Sequence, residues 1–222
     1  MRFLKRIIPQ YSITPVFSMI VIGAATYFIT KLVMDNGRHY DVSLPIDHSI
    51  PLIPVFIVIY ILSYLQWIFG YGIIAKERKD FAHRIISSEI IAKLICLFIF
   101  IVLPTSMVRP EITGSDIFSK LTLLIYKIDT PTNLFPSLHC LESWIIFRAS
   151  FGLERHGKPT IIINAIFGIL VFLSVLFVRQ HLILDIPAAI IVGEFSLFIG
   201  KKFNTGRVFD KIDSHILRKG QG

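Results

Sequence analysis

Three short polar segments interrupt a chain otherwise dominated by apolar runs: Arg109-Pro110, NLFPSLH over residues 133–139, and RQHLILD over residues 179–185. His181 and Asp185 are four residues apart, a spacing that stacks both on one helix face, one turn apart. A carboxylate so placed accepts the proton of one ring nitrogen and leaves the other with a lone pair, as an imidazole nucleophile or base requires. Pro136 suits the first position of a helix, which puts Ser137 and His139 in its first turn. Backbone N–H groups and the positive dipole end make such a turn a seat for phosphate. Arg109 and Arg179 can bring guanidinium groups to the remaining phosphate oxygens. Asn133 either touches substrate or caps the helix that follows, and capping is the favoured reading. These residue types point to phosphoryl transfer. No cluster has zinc-like spacing and no carboxylate cage fits magnesium, so the expectation is a metal-independent site without cofactor. His139, His181, Arg109 and Arg179 are then expected to line one cavity.

The elements that must carry these residues are read from hydropathy. Of the 222 residues, 54% are hydrophobic and 17% charged, with a mean hydropathy of +0.68. A soluble domain of this size does not need so much apolar surface. Six apolar runs are expected to span a membrane: Tyr11–Val33, Pro51–Ala75, Ile85–Val108, Pro136–Gly152, Thr160–Phe177 and Leu182–Gly200. Each approaches the ~20 residues a span needs. The runs are continuous rather than alternating, which implies an all-α polytopic membrane protein and not a barrel. The first run is too long for a signal-peptide core and reads as a retained span. No repeat or second domain is visible, so residues 1–222 form a single transmembrane domain, with its motifs in 109–185 and a basic tail over 201–222. Within the third loop, residues 115–128 read as a short helix with Ile117, Leu121, Leu124 and Ile128 on one face, either lying in the interface or packed on the spans.

Charge sets the expected orientation. Arg2, Lys5 and Arg6 precede the first run; Lys76, Arg78, Lys79 and Arg84 fill the second loop; Arg155 and Lys158 mark the fourth. Lys201, Lys202, Arg207, Lys211, Arg218 and Lys219 crowd the tail, whereas the alternate loops hold only Arg38, Arg109, Lys120, Lys127 and Arg179, with the acids Asp35, Asp41, Asp47, Glu111, Asp116 and Asp129 among them. The positive-inside rule puts both termini in the cytoplasm and loops one, three and five, with all three polar segments, outside. The net charge of +8 belongs to those loops and to anionic lipid, not to nucleic acid. Cys96 and Cys140 read as packing residues. Glu89 and Lys93, four apart, are expected to pair, and Glu142, Arg148 and Glu194 each need a partner inside a span. Trp67 and Trp144 read as packing or interfacial anchors, and Asp47 as an ordinary loop acid.

With the upstream Arg-Pro, NLFPSLH and RQHLILD resemble the type-2 phosphatidic acid phosphatase superfamily. Its membrane members have six helices and three motifs: Lys-x6-Arg-Pro, Pro-Ser-Gly-His and Ser-Arg-x5-His-x3-Asp. All three motifs find counterparts here in order, across the second half of the chain. Departures are Val102 at the first-motif lysine, Leu138 at the glycine of the second motif, and Val175 at the third-motif arginine. The variant is similar to the branch that contains the inositol phosphorylceramide synthases. The resemblance implies His181 as a nucleophile forming a phosphohistidine, Asp185 as its orienting partner, and His139 as general acid and then base. It also implies Arg109 and Ser137 as phosphate ligands; Arg179 is added here from proximity.

The expected function is a lipid phosphate or lipid pyrophosphate phosphatase in the cell membrane, with its site on the external side and no obligate protein partner. A phosphotransferase passing the group to an alcohol is the alternative. A transporter of anionic lipid is the third reading, disfavoured because transporters place ionisable residues at the midplane rather than at one face.

Overall fold

A computed structural model describes residues 8–34 and 38–219; Arg2, Lys5, Arg6 and Asp35 of the charge pattern lie outside them. The described residues form eight α-helices: α1 Ile13–Met34, α2 Ile57–Ile74, α3 Lys79–Val102, α4 Ile117–Ile128, α5 Leu138–Ser150, α6 Lys158–Phe177, α7 Asp185–Lys202 and α8 Arg207–Lys219. Among the described residues extended pairing is limited to isolated bridges, Tyr40 with Thr105 and Ser106 with Thr132. The fold is all-α, as the continuous apolar runs require.

Four helical stretches are long and apolar enough to cross a membrane: Gln10–Leu32, Pro54–Ile74, Lys79–Val102 and Lys158–Phe177. They expose bulky apolar side chains, among them Phe17, Ile68, Phe98 and Ile163, a surface that water would not tolerate over such an area. The other two expected spans are less regular. Helix α5 has only 13 residues, about 20 Å at ~1.5 Å per residue against a hydrocarbon core of ~30 Å. Ser137 caps its start, accepting from the Cys140 amide at 3.3 Å, and the chain turns at Phe151-Gly152. A Cβ on Gly152 would lie 2.3 Å from the Phe81 ring, so that close approach requires glycine. Helix α7 starts at Asp185, not at Leu182, and carries Glu194, Lys201 and Lys202. Helix α3 is displaced relative to the run from Ile85 to Val108: it begins at Lys79 and stops at Val102, because Pro104 pushes the preceding residue out of helical geometry.

Helix α3 packs between α1 and α7, α5 packs on α6 and α7, and α2 lies against α5 and α6. Ile57, Tyr60, Ile86, Leu141, Ile145, Val171 and Val175 form the buried centre. Helices α3 and α7 approach closely because Gly200 faces Ser88, whose Oγ would be 1.9 Å from an added Cβ; small residues are the usual means of bringing apolar helices together.

The connections gather at two ends. At one, the Ser12 hydroxyl donates to the Ala75 carbonyl at 2.7 Å, the Thr14 hydroxyl to Asp213 at 2.6 Å, and Lys79 pairs with Asp210 at 2.5 Å. At the other, Tyr40 and Pro104 are joined at 2.8 Å, and Ile53 and Phe177 at 2.8 Å. The first, third and fifth loops thus share one end, with α4 beside them. Asp116 caps α4, and its bonds from Ser119 hold the carboxyl below its ordinary value. The apolar face expected for α4 divides: Phe118, Leu121 and Ile125 pack inward, while Ile117, Leu124 and Ile128 are exposed.

The ionisable groups within the helices find partners, some along one helix and some across two. Lys93 Nζ lies 2.6 Å from Glu89 and 2.8 Å from Glu142, and the Tyr71 hydroxyl donates to Glu142. Arg148 pairs with Glu194 at 2.5 Å, which also accepts from Trp144 at 2.9 Å. Removing one member of a buried ion pair leaves an uncompensated charge, which costs about 3–5 kcal/mol. Lys93→Met is therefore expected to lower the thermal unfolding midpoint in detergent sharply. An unchanged midpoint would show that the carboxyl pair does not depend on Lys93 for neutralisation.

Candidate functional site

A cavity of about 820 Å³ runs beside α1, α2, α3 and α5, from Ile8 and Ala75 to the end where loops three and five meet. His139, His181, Asn133 and Gln180 line it near the loops together with Tyr64 and Trp67; Tyr71, Lys93 and Glu142 line it further along α2, α3 and α5. Most of the remaining wall is apolar, including Val16, Met19, Ile20 and Ile68.

His181 does not lie on a helix. It occupies the turn between α6 and α7, where Arg179 takes a left-handed φ of 53° and reverses the chain. Asp185 opens α7 and closes this turn, its Oδ2 accepting from the Leu182 amide at 2.9 Å. The same oxygen lies 3.0 Å from His181 Nδ1, and the Leu134 carbonyl lies 3.0 Å from that nitrogen. Both neighbours can only accept, so Nδ1 carries the proton and Nε2 holds the lone pair of the neutral ring. The expected His–Asp partnership is present, but a turn rather than a helix face makes it. Placing Asp185 in the first turn of α7 also sets a carboxylate at the favourable dipole end.

His139 is the second residue of α5, one after Leu138, so it falls in the first turn as expected. Pro136 lies outside the helix, because Ser137 takes the cap. The imidazole is enclosed by rings: Tyr60 is stacked on it with centroids 4.2 Å apart, Trp67 lies at 5.0 Å and Tyr64 at 5.3 Å. Its Nε2 is buried without a hydrogen-bond partner. The His139 and His181 ring centroids are 6.0 Å apart. That is the scale needed to seat a phosphoryl group within near-attack reach (~3–3.5 Å) of one ring and hydrogen-bond reach (~2.6–3.2 Å) of the other.

The other expected site residues are distributed differently. Asn133, at a left-handed φ of 57°, does not cap α5; it lines the cavity, and its Oδ1 is buried and unpartnered. Arg179 and Arg109 are not among the lining residues. The Arg179 guanidinium donates to the backbone carbonyl of Asp47. Arg109 lies over the Tyr126 ring, 4.4 Å from its centroid, donates to the Asp129 carbonyl at 2.7 Å and to Gln180 Oε1. Burial lowers Arg109 from its ordinary value and pushes the Tyr126 hydroxyl up to about 12. The expectation that both arginines line the cavity with the histidines is corrected: buried guanidinium groups are costly without acceptors, and here loop carbonyls and an amide oxygen take their terminal nitrogens, while Arg109 Nε has no partner among the described residues.

Several supporting residues carried no legible signal. Asp47 is fully buried and is not an ordinary loop acid. Its Oδ1 accepts from the Ile183 amide at 2.8 Å and its Oδ2 from the Leu44 amide at 2.7 Å, which ties the first loop to the His181 turn. Thr105 Oγ1 accepts from the amides of Leu134 and Phe135 at 2.9 and 3.0 Å and so shapes the strand of chain leading into Ser137. Trp67, read as packing or an anchor, lines the cavity against His139. The spacing of Tyr60, Tyr64 and Trp67 on α2, four and then three apart, could have identified an aromatic wall.

Chemically, the arrangement pairs a carboxylate-oriented imidazole with a second imidazole that lines the same cavity and has an unpartnered ring nitrogen. Such a pair can attack a phosphorus or acyl centre from one side and move a proton on the other. Among the described residues no three His, Cys, Asp or Glu side chains converge as a metal centre would need. No protein-family model matches the chain, and no curated protein or solved structure matches it.

Proposed function

We propose that the protein is a six-pass membrane enzyme that cleaves lipid phosphate or lipid pyrophosphate esters through a phosphohistidine on His181. The single observation that carries this reading is the cavity in which the Asp185-oriented ring of His181 faces His139 at 6.0 Å. A soluble substrate would not need the long apolar wall that continues from the two histidines along α1 and α2; a lipid tail fits it. In this reading His181 Nε2 attacks phosphorus and the leaving oxygen takes a proton from His139. Water, activated by His139, then releases phosphate. The motif resemblance supports the same assignment.

The short α5 and the charged α7 complete the six passes by packing against α3 and α6 rather than by meeting lipid all round. The polar ends of a short helix can be satisfied by protein. The cytoplasmic side is assigned to the basic end, where Lys79 meets α8, and the outer side to the site.

Two measurements test this. Purified protein in detergent is expected to release inorganic phosphate from phosphatidate, phosphatidylglycerol phosphate or a polyprenyl phosphate, and to do so with EDTA present. Loss of activity in EDTA with recovery on adding magnesium would overturn the metal-independent mechanism, and transfer to an added alcohol in preference to water would make the protein a phosphotransferase. For orientation, Asp116→Cys in whole cells is expected to react with an impermeant thiol reagent applied outside, the native Cys96 and Cys140 being buried. Labelling only after permeabilisation would place the site in the cytoplasm.

A further inference from the structure

The residue between Arg179 and His181 has no assigned role, yet its side chain makes an informative contact. Gln180 is 2% exposed and lines the cavity beside His181. Its Oε1 receives the Arg109 guanidinium. A guanidinium can only donate and an amide oxygen can only accept, so this contact fixes which way the amide faces. The Gln180 Nε2 group, with its two N–H donors, is turned from Arg109, and it is buried with no partner. Buried polar groups in folded proteins are nearly always satisfied, and an orphan lining a cavity marks a place where a ligand completes the bonding.

Arg109 is itself held away from that space. One of its terminal nitrogens serves the carbonyls of Tyr126 and Asp129, the other Gln180, and the guanidinium is stacked on Tyr126. Its charge reaches the cavity by polarising the amide between them, since chains of hydrogen bonds strengthen one another in a low-dielectric site.

We infer that Gln180 is a substrate-binding residue that donates to a phosphoryl oxygen beside His181, and that Arg109 acts through it as a positioning residue rather than as a phosphate ligand. The inference rests on the phosphoryl-transfer reading above. It departs from the role that the motif resemblance implies for Arg109. Nε2 offers donors and no acceptor, and the next residue, His181, lines the same cavity, so the matching ligand group is an oxyanion. Asn133, whose unpartnered Oδ1 lines the same cavity, suits a hydroxyl or a protonated phosphate oxygen instead.

Orthovanadate, a phosphate-like anion, is the probe. Its binding to the detergent-purified full chain is measured by its inhibition of phosphate release and by its shift of the unfolding temperature. Gln180→Leu removes the donors and is expected to weaken vanadate about 10–100-fold, the range for a hydrogen bond to a charged group, and to raise KM for a lipid phosphate more than it lowers kcat. Gln180→Glu keeps the contact with Arg109 and turns an oxygen towards the anion. It is expected to weaken vanadate at least as much, and it carries the test if the leucine variant does not fold. Arg109→Met is expected to match Gln180→Leu, and the double variant to be no worse than either alone. Neighbours acting in one chain are non-additive in this way.

Vanadate affinity unchanged in Gln180→Glu, or losses for Arg109→Met and Gln180→Leu that multiply, would overturn the inference while leaving the phosphatase reading intact. Wild-type protein that neither releases phosphate nor binds vanadate would overturn both.

Discussion

Replacing His181 with alanine is expected to reduce phosphate release to background for every substrate and to abolish the labelled phosphoenzyme. The expectation follows from the hydrogen bonds around the ring. Asp185 and the Leu134 carbonyl both accept at Nδ1, so they fix the neutral tautomer and leave the Nε2 lone pair free on a ring that lines the cavity. Among the described residues no other side chain with an oriented lone pair stands in the same position, because His139 has no carboxylate partner there and its ring is clasped by Tyr60, Tyr64 and Trp67. Asp185→Asn is expected to retain a trace of activity, since an amide oxygen and the Leu134 carbonyl can still hold the ring, but the neutral amide no longer stabilises the positive charge that the ring takes on as it attacks. Acid-quenched protein incubated with labelled substrate provides the measurement. Label persisting in His181→Ala would move the nucleophile elsewhere.

For His139→Ala, the size of the loss is expected to depend on the leaving group. A lipid alkoxide leaves poorly without a proton, so removing a general acid costs ~10²–10⁴-fold. An activated aryl phosphate leaves well unaided, and the variant is expected to form phosphoenzyme from it at a near-normal rate. The intermediate should then accumulate, because in the proposed mechanism the same imidazole activates the incoming water. Trapped phosphoenzyme in His139→Ala and none in His181→Ala is the paired outcome. Label on His139 in the wild type would show that nucleophile and acid are exchanged. The aromatic enclosure of His139 predicts that Trp67→Ala lowers the same step more weakly, by loosening the ring rather than removing it.

Local pattern was enough to identify several features. Long apolar runs can only be helices where backbone groups lack water, and the all-α fold with four helices able to cross a membrane follows from that. The four-residue spacing of His181 and Asp185 brought them into contact even though a turn, not a helix, made the pairing, because either geometry closes over that distance. Glu89 and Lys93 paired for the same reason. The alternation of basic and acidic loops matched the gathering of loops one, three and five at one end.

Tertiary structure decided how those parts were fastened, and the reason is that hydrogen bonds between distant segments leave no periodicity behind. Asp47 holds the Ile183 amide across a sequence separation of 136 residues, and a lone acid in a loop carries no mark of that. Helix α5 is short because Ser137 caps it and the chain turns at Gly152 against Phe81, neither of which interrupts the hydropathy of the run. Arginine next to a phosphate motif reads as a phosphate ligand by charge alone. Only the placement of Tyr126, Asp129 and Gln180 around Arg109 shows where its donors are used. Composition and spacing determined which residue types could carry phosphoryl chemistry; the burial of polar groups, each requiring a partner from a distant segment, determined which of them line the cavity.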